Sequence, residues 1–431
     1  MEGQENTNQS ITIVGAGISG LFCAYAAVKR GYHVRIIEKN EQVGGILSTS
    51  QVANLGSAES AAHSFFNNFD MEDLCDDIGL ELLPAQTKAK KHYLLRKGLP
   101  QKWPLDWMES LELLSSFFLH LFSLKPKKHE LLSDWSLRVF GGAATQYIVL
   151  PAFQGIYGRD PSALSATLLF KRFSLRKKRK IHRKRKLKIK GCVAPKYGMG
   201  DLVAKLESYL KTHNADFILS HEFTREELVE VLARNEKIIL ATPLYVTSQL
   251  VADHLPGFAA ASSTVHFVDL MNATVFFKRE DAWLDGYGIL LPRIERYETL
   301  GITFNTNTFD NRSSQPEFVS ETWIYKDELL KLTDEQVQKL IVAERQRLTS
   351  KNVAPLGIKI HRWKKAIPYY DVTLERLLEQ ESFLSAPSKG IAFSGNWVGA
   401  LGLGRMLSEH IDTVEKFTGE KFTDPKALEH S

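Results

Sequence analysis

Cysteine is scarce in this 431-residue chain, and the three present, Cys23, Cys75 and Cys192, show no CxxC spacing. That excludes a disulfide framework and argues against a metal site, so no metal is expected and a reducing compartment is the simpler reading. No uncharged apolar run reaches the roughly 18 residues that a membrane span needs. The first ten residues are polar and have neither a basic n-region nor an apolar h-region, so no secretory signal is expected. Together these absences point to a cytoplasmic protein, either soluble or attached to a membrane surface. No Ser-His-Asp or other nucleophile arrangement stands out. His63, His92, His266 and His361 are isolated in the sequence and read as structural or surface histidines.

Hydrophobic residues at 44% and charged residues at 24% are those of a globular protein. The length exceeds one ordinary core, so two intertwined domains are expected. One stretch lacks acid altogether. Residues 171–190 carry thirteen Lys or Arg, and taking these from the net +5 of the chain leaves −8 elsewhere. A solvated basic loop is the plainest reading, and contact with an anionic membrane or a polyanionic substrate comes next. Nucleic acid is not expected, because no aromatic platform or DNA-binding motif accompanies the charge. Upstream, residues 107–124 (WMESLELLSSFFLHLFSL) read as an amphipathic helix leaving through Lys125-Pro126-Lys127-Lys128. A core helix of the second domain is the simpler expectation; a helix lying in a membrane interface is the sharper one.

The N-terminal fifty residues hold two nucleotide signatures in succession. Ser10–Val14 reads as a buried strand, Gly15-Ala16-Gly17-Ile18-Ser19-Gly20 follows, an Ala-rich helix runs to Arg30, and a second strand, His33–Ile37, ends at Glu38. This is the βαβ context of a dinucleotide fold. Gly15 permits the turn, Gly17 admits a pyrophosphate, and Gly20 packs helix on strand, with Ile18 and Ser19 at the positive helix end. Glu38 lies about twenty residues past the glycines, where an acid binds a ribose diol. Lys39 and then Gly44-Gly45-Ile46 come next. NAD does not need a second glycine pair, but FAD does, where the chain passes its pyrophosphate again. Phe223 follows a strand at 215–220, at a place that touches adenine. The strand Gly390–Phe393 delivers Gly395-Asn396, and Gly402-Leu403 opens the last helix, so that donors and a helix dipole face the flavin. FAD is the expected cofactor.

Three further blocks resemble oxygen-dependent protoporphyrinogen oxidase, within the flavin amine oxidase-like superfamily. Gly286-Tyr287-Gly288-Ile289-Leu290-Leu291-Pro292 with Leu300-Gly301 is similar to the family's GFGxLxP…LG stretch. Arg362-Trp363-Lys364-Lys365-Ala366-Ile367-Pro368-Tyr369-Tyr370 is similar to RWxxAIPQY, and Pro151 to Ser165 to PxxxGxYAGDPxxLS. Departures stand at Ile46, where the family has Arg or Lys, at Asn54-Leu55-Gly56-Ser57 in place of E-x-GP, and at Tyr369 in place of Gln.

The resemblance implies a two-domain α/β Rossmann-like flavoprotein. The discontinuous FAD domain would take residues 1–85, 191–255 and 355–431, and an α+β substrate domain residues 86–190 and 256–354. It implies oxidation of a tetrapyrrole porphyrinogen, protoporphyrinogen IX or coproporphyrinogen III, with molecular oxygen as acceptor. A flat, apolar, carboxylate-rimmed substrate needs an aromatic pocket with cations at its mouth. Phe276, Phe277, Tyr287, Leu290 and Trp363 answer the first need, and Arg159, Arg293 and the basic segment the second. The resemblance places Trp363 beside the flavin. An amine oxidase or desaturase acting on another apolar substrate, and an FAD-binding protein without net oxidase activity, remain the alternatives.

Overall fold

The computed structural model describes residues 10–174, 185–399 and 401–419. Its first sheet is parallel and five-stranded, in the order Ala215–Ile218, His33–Ile37, Ser10–Val14, Lys237–Leu240, Ile391–Phe393. The strands are short and apolar because both faces are covered. Ile13 pairs with Ile36 on one side and Ile239 on the other. The helix Ile18–Val28 packs on one face and is buried from Ser19 to Ala27. It lies among the helices Met199–Thr212 and Leu403–Thr418, whose Leu206, Met406 and Leu407 share its core. On the other face, Val14, Ile37 and Leu240 pack with Leu228, Leu244, Phe258 and Trp397.

The second sheet has seven strands, in the order Gly357–Pro368, Phe267–Lys278, Phe318–Tyr325, Thr299–Phe304, Gly288–Leu290, His92–Arg96, Leu99–Gln101. Its two faces differ because successive strand residues point to opposite sides. Met271, Ala273, Val275 and Phe277 enter a core with Trp323 and with Val337 and Ile341 of the helix Asp334–Thr349. Leu270, Asn272, Thr274 and Phe276 therefore point the other way, toward the first sheet's attachments. Phe277 is thus a core residue, with the Arg345 guanidinium stacked 3.9 Å from its ring, and not a wall of the pocket expected of it.

Two expectations are corrected. The boundary at residue 355 put the Arg362–Tyr370 block with the FAD segments, but the strand Gly357–Pro368 is hydrogen-bonded along Phe267–Lys278. It fills the free edge of the seven-stranded sheet. The segment 107–124 is not a core helix. The helix Trp107–Leu119 and the turn Leu121–Ser123 have no buried residue. Their periodicity reports an apolar face, and that face is turned to solvent. The expected helices and strands at 199–212, 237–240, 334–349 and 403–418 form, and the three cysteines are free thiols. Among the described residues no helix is long and apolar enough to cross a membrane.

Candidate active site

The glycines of the first signature divide by what surrounds them. A Cβ on Gly20 would lie 1.9 Å from the Gly15 carbonyl oxygen, and one on Gly15, at φ +100°, 2.8 Å from that of Ala241. Those two are glycine because the chain itself leaves no room. A Cβ on Gly17 would meet nothing within 4 Å, and the same is true of Gly402. Each caps a helix, Ile18–Val28 and Leu403–Thr418, and neither cap carries a side-chain hydrogen bond. The Ser19 hydroxyl contacts the Met406 sulfur at 3.6 Å, which brings the two uncapped helix starts together. Free N–H donors, the positive ends of two dipoles and empty space at both glycines suit a phosphate-bearing ligand.

The other cofactor candidates gather around that point. Gly44 donates its N–H to the Ala16 carbonyl at 2.8 Å, and Gly45, at φ +62°, leaves only 3.2 Å between a Cβ and Gly17. The Glu38 carboxylate is buried and accepts from Ala16 N at 2.8 Å and from Asn40 N at 2.9 Å. The His221 N–H reaches the Glu38 carbonyl, so the approach to Phe223 passes the acid; the Phe223 ring itself lies in the core with Ile37. Lys39 and Ile46 are exposed. Leu403 is buried in the helix core. Gly395, at φ +136°, sits against the Trp397 ring, and the Asn396 side chain donates to the Ala366 carbonyl at 2.8 Å.

A residue the motifs do not mark ties this centre to the second sheet. The Ser60 hydroxyl donates to the Ile46 carbonyl at 2.6 Å, next to the glycine pair. Its own carbonyl accepts from Trp363 Nε1 at 2.7 Å and Asn272 Nδ2 at 2.8 Å. Phe276 comes against Gly56, and the Tyr287 hydroxyl lies 3.1 Å from Ser64 Oγ. Trp363, Phe276 and Tyr287 thus converge on one segment, residues 56–64, although they come from three strands or their approaches. Leu290 shares their side of the sheet, under Gly155 of the helix Leu150–Tyr157.

His63 and His92 are not isolated. Their rings flank Tyr287 at 5.9 and 5.2 Å. Burial, with the nearby Arg312, pushes the His63 imidazole down to about 4, and burial also lowers His92. The His63 ring is therefore neutral at pH 7. Burial also pushes the Tyr287 phenol above its usual range. Beside His63, a cavity of about 10 Å³ is lined by Ser57, Glu59, Asn305, Arg312 and Thr322, room for one water. Ser57 Oγ and Arg312 Nη1 have no hydrogen-bond partner there, although Arg312 lies 3.5 Å from the Glu59 carboxylate. Sequence spacing holds no signal for this cluster, since its two halves come from the segments 57–92 and 287–322.

Of the two expected cations, Arg293 is paired with Asp160. Arg159 lies 4.0 Å from Asp327 and over the Tyr369 ring at 5.6 Å. They stand close to one another but each faces an acid.

A family model for flavin-containing amine oxidoreductases matches residues 18–406. The chain belongs to that family. It is an FAD-dependent oxidoreductase. As a member of this family it resembles protoporphyrinogen oxidase 2 of Arabidopsis thaliana, 24% identical over 93% of this chain and 92% of the relative. It is similar in fold to a provisional protoporphyrinogen oxidase of Exiguobacterium sp. 255-15, with a TM-score of 0.74, 17% identity and coverage of 96% and 100% of the two chains. A reduced UDP-galactopyranose mutase also shares the fold, with a TM-score of 0.72 and 14% identity over 95% and 96%.

Proposed function

We propose that this flavoprotein oxidises a tetrapyrrole porphyrinogen, protoporphyrinogen IX or coproporphyrinogen III, to the porphyrin. The observation that carries the reading is the attachment of Trp363, Phe276 and Tyr287 to residues 56–64. The blocks that resemble protoporphyrinogen oxidase thereby come next to the glycine pair. The similarity to plant protoporphyrinogen oxidases along nearly the whole chain supports the same reading.

Six hydrogens leave the substrate in three two-electron steps, each a hydride and a proton. Bound FAD supplies the hydride acceptor. Molecular oxygen, as the terminal acceptor, takes the electrons of each step, and three oxygen molecules leave as three hydrogen peroxide. The chain's own part is to position and to exclude water. Gly17, the N–H groups of the helix starting at Ile18 and the Gly44-Gly45 pair would hold the cofactor's pyrophosphate, Glu38 its ribose, and the segments at Gly395-Asn396 and Gly402-Leu403 its ring end. Trp363, fixed through Ser60, would wall the ring side. Leu290 and Tyr287 would offer a flat macrocycle an apolar surface, whereas Phe276, expected there too, is fully buried; Arg159 and Arg293 would exchange Asp327 and Asp160 for its carboxylates. Amine oxidation is less well served. Trp397 beside Gly395 is fully buried, with its Nε1 donating to the Thr242 carbonyl at 3.2 Å, so it cannot wall an amine site.

Anaerobic mixing of the FAD-loaded protein with each porphyrinogen tests the proposal. Bleaching of the flavin absorbance faster than in the no-substrate control, followed by porphyrin fluorescence on admitting air, is the expected result. If neither porphyrinogen bleaches the flavin while an amine does, the substrate class is wrong.

A further inference from the structure

We infer that Tyr370 is a positioning residue for the flavin, its hydroxyl holding the turn between Gly395 and Gly399. The inference does not depend on the substrate; it rests on the placement of Gly395-Asn396 and Gly402-Leu403 at the ring end. The Tyr370 hydroxyl donates to the Asn396 carbonyl and, at 2.6 Å, to the Gly399 carbonyl. The turn's own backbone bond, from Val398 N to the Gly395 carbonyl, is long at 3.3 Å. The Asn396 side chain adds a tie of 2.8 Å to the Ala366 carbonyl. The ties at Tyr370 and Ala366 belong to one block, Arg362–Tyr370, whose Trp363 also binds the Ser60 carbonyl at 2.7 Å. One strand and its exit thus hold both the turn and the segment 56–64.

Tyr370 is itself fixed. It is 3% exposed, its carbonyl accepts from Ser165 N at 2.8 Å, and its ring meets that of Tyr157 edge-on at 5.0 Å. Its one proton is shared between two carbonyls, so the bond sets their spacing and with it the course of the chain toward Gly402. A phenylalanine would keep the contact with Tyr157 and lose that bond, leaving the buried Gly399 without its donor. The turn is then free to shift. Backbone donors and a positive helix end stabilise the ring most when it is reduced and carries negative charge. A loosened turn should therefore cost reduced FAD more than oxidised FAD.

Reductive titration of the FAD-loaded protein against a reference dye, beside FAD binding to the stripped protein, tests the inference. Tyr370→Phe should bind reduced FAD about fivefold more weakly relative to oxidised FAD, lowering the midpoint potential by about 20 mV for a two-electron couple. Asn396→Ala frees the same turn at its other tie and should shift the potential in the same direction. Gly402→Val tests the placement on its own, because a Cβ there meets no protein atom within 4 Å; it should weaken FAD binding without changing the melting temperature of the flavin-free protein. Undiminished FAD affinity in Gly402→Val would overturn the placement and the inference with it. If Gly402→Val loses FAD while Tyr370→Phe is only less heat-stable, with wild-type potential and FAD affinity, Tyr370 is a structural residue and the inference alone is overturned. Should Tyr370→Phe not fold, an unmoved potential in Asn396→Ala would overturn it equally.

Discussion

Gly17 and Gly20 lie three positions apart and are glycine for unrelated reasons. At Gly20 the chain's own carbonyl forbids a side chain, and Gly20→Val should cost about 3 kcal/mol or more and prevent folding. At Gly17 the backbone is extended, φ −66° and ψ 171°, and the space is open. Gly17→Val should therefore leave the melting temperature of the flavin-free protein unchanged while abolishing FAD retention. Flavin absorbance after desalting, beside a thermal melt, separates the two cases. A Gly17→Val protein holding stoichiometric FAD would refute the pyrophosphate assignment. Trp363 gives a graded test. Trp363→Phe keeps the ring and loses the bond to the Ser60 carbonyl, about 1 kcal/mol, so FAD affinity should drop severalfold, and Trp363→Ala should lower it further. Equal FAD affinity in all three proteins would remove Trp363 from the site.

Helices were easier to recognise than to orient. The C-terminal helix Leu403–Thr418 starts at an unclothed glycine and turns Met406, Leu407, Ile411 and Val414 inward, as its spacing requires. It also buries His410, which is 2% exposed against Phe22. Burial pushes that imidazole down to about 3. An unfolded histidine binds a proton below about 6.5, whereas His410 in the folded protein does not until about 3. Stability is therefore complete above about 6.5 and is lost as pH falls through this window, by up to about 1.4 kcal/mol per pH unit. His410→Gln should flatten that part of the profile, as measured by urea midpoints from pH 7 downward. An unchanged acid slope would mean that other groups cause it. In the helix Trp107–Leu119 the same period was legible, but what its apolar face meets depends on Arg96 and Gly142, which hold its acids from other elements.

At the scale of the whole molecule, charge is divided between fastening and free surface. Within the basic segment, Arg185 pairs with Asp73 at 2.6 Å and Lys188 with Asp76 at 2.7 Å. Its last part is thereby anchored to the helix Phe69–Asp77. Residues 175–184 lie outside the described region. Substituting Arg176, Lys177, Lys178, Arg179 and Lys180 by Ser should weaken binding to anionic vesicles with a steep dependence on salt, whereas Arg185→Ser should mainly cost stability. Identical vesicle binding by the wild type and the neutralised variant at low salt would show that the segment is only solvated.

The sequence alone determined the parallel sheet, the helices that flank it and the cofactor, because a dinucleotide fold is written in contiguous residues: a strand, a glycine turn, a helix start and an acid within one βαβ unit. It also carried the family, through blocks whose letters survive without knowledge of where they meet. Only the tertiary structure decided which side of each long strand faces the site, so that Phe276 and its neighbour Phe277 part company. It placed Ser60 between the glycine pair and Trp363, set two histidines around Tyr287, and gave the strand Gly357–Pro368 to the second sheet. Most of these contacts join segments far apart in the chain, and local periodicity holds no information about what lies opposite a side chain once the chain has closed on itself.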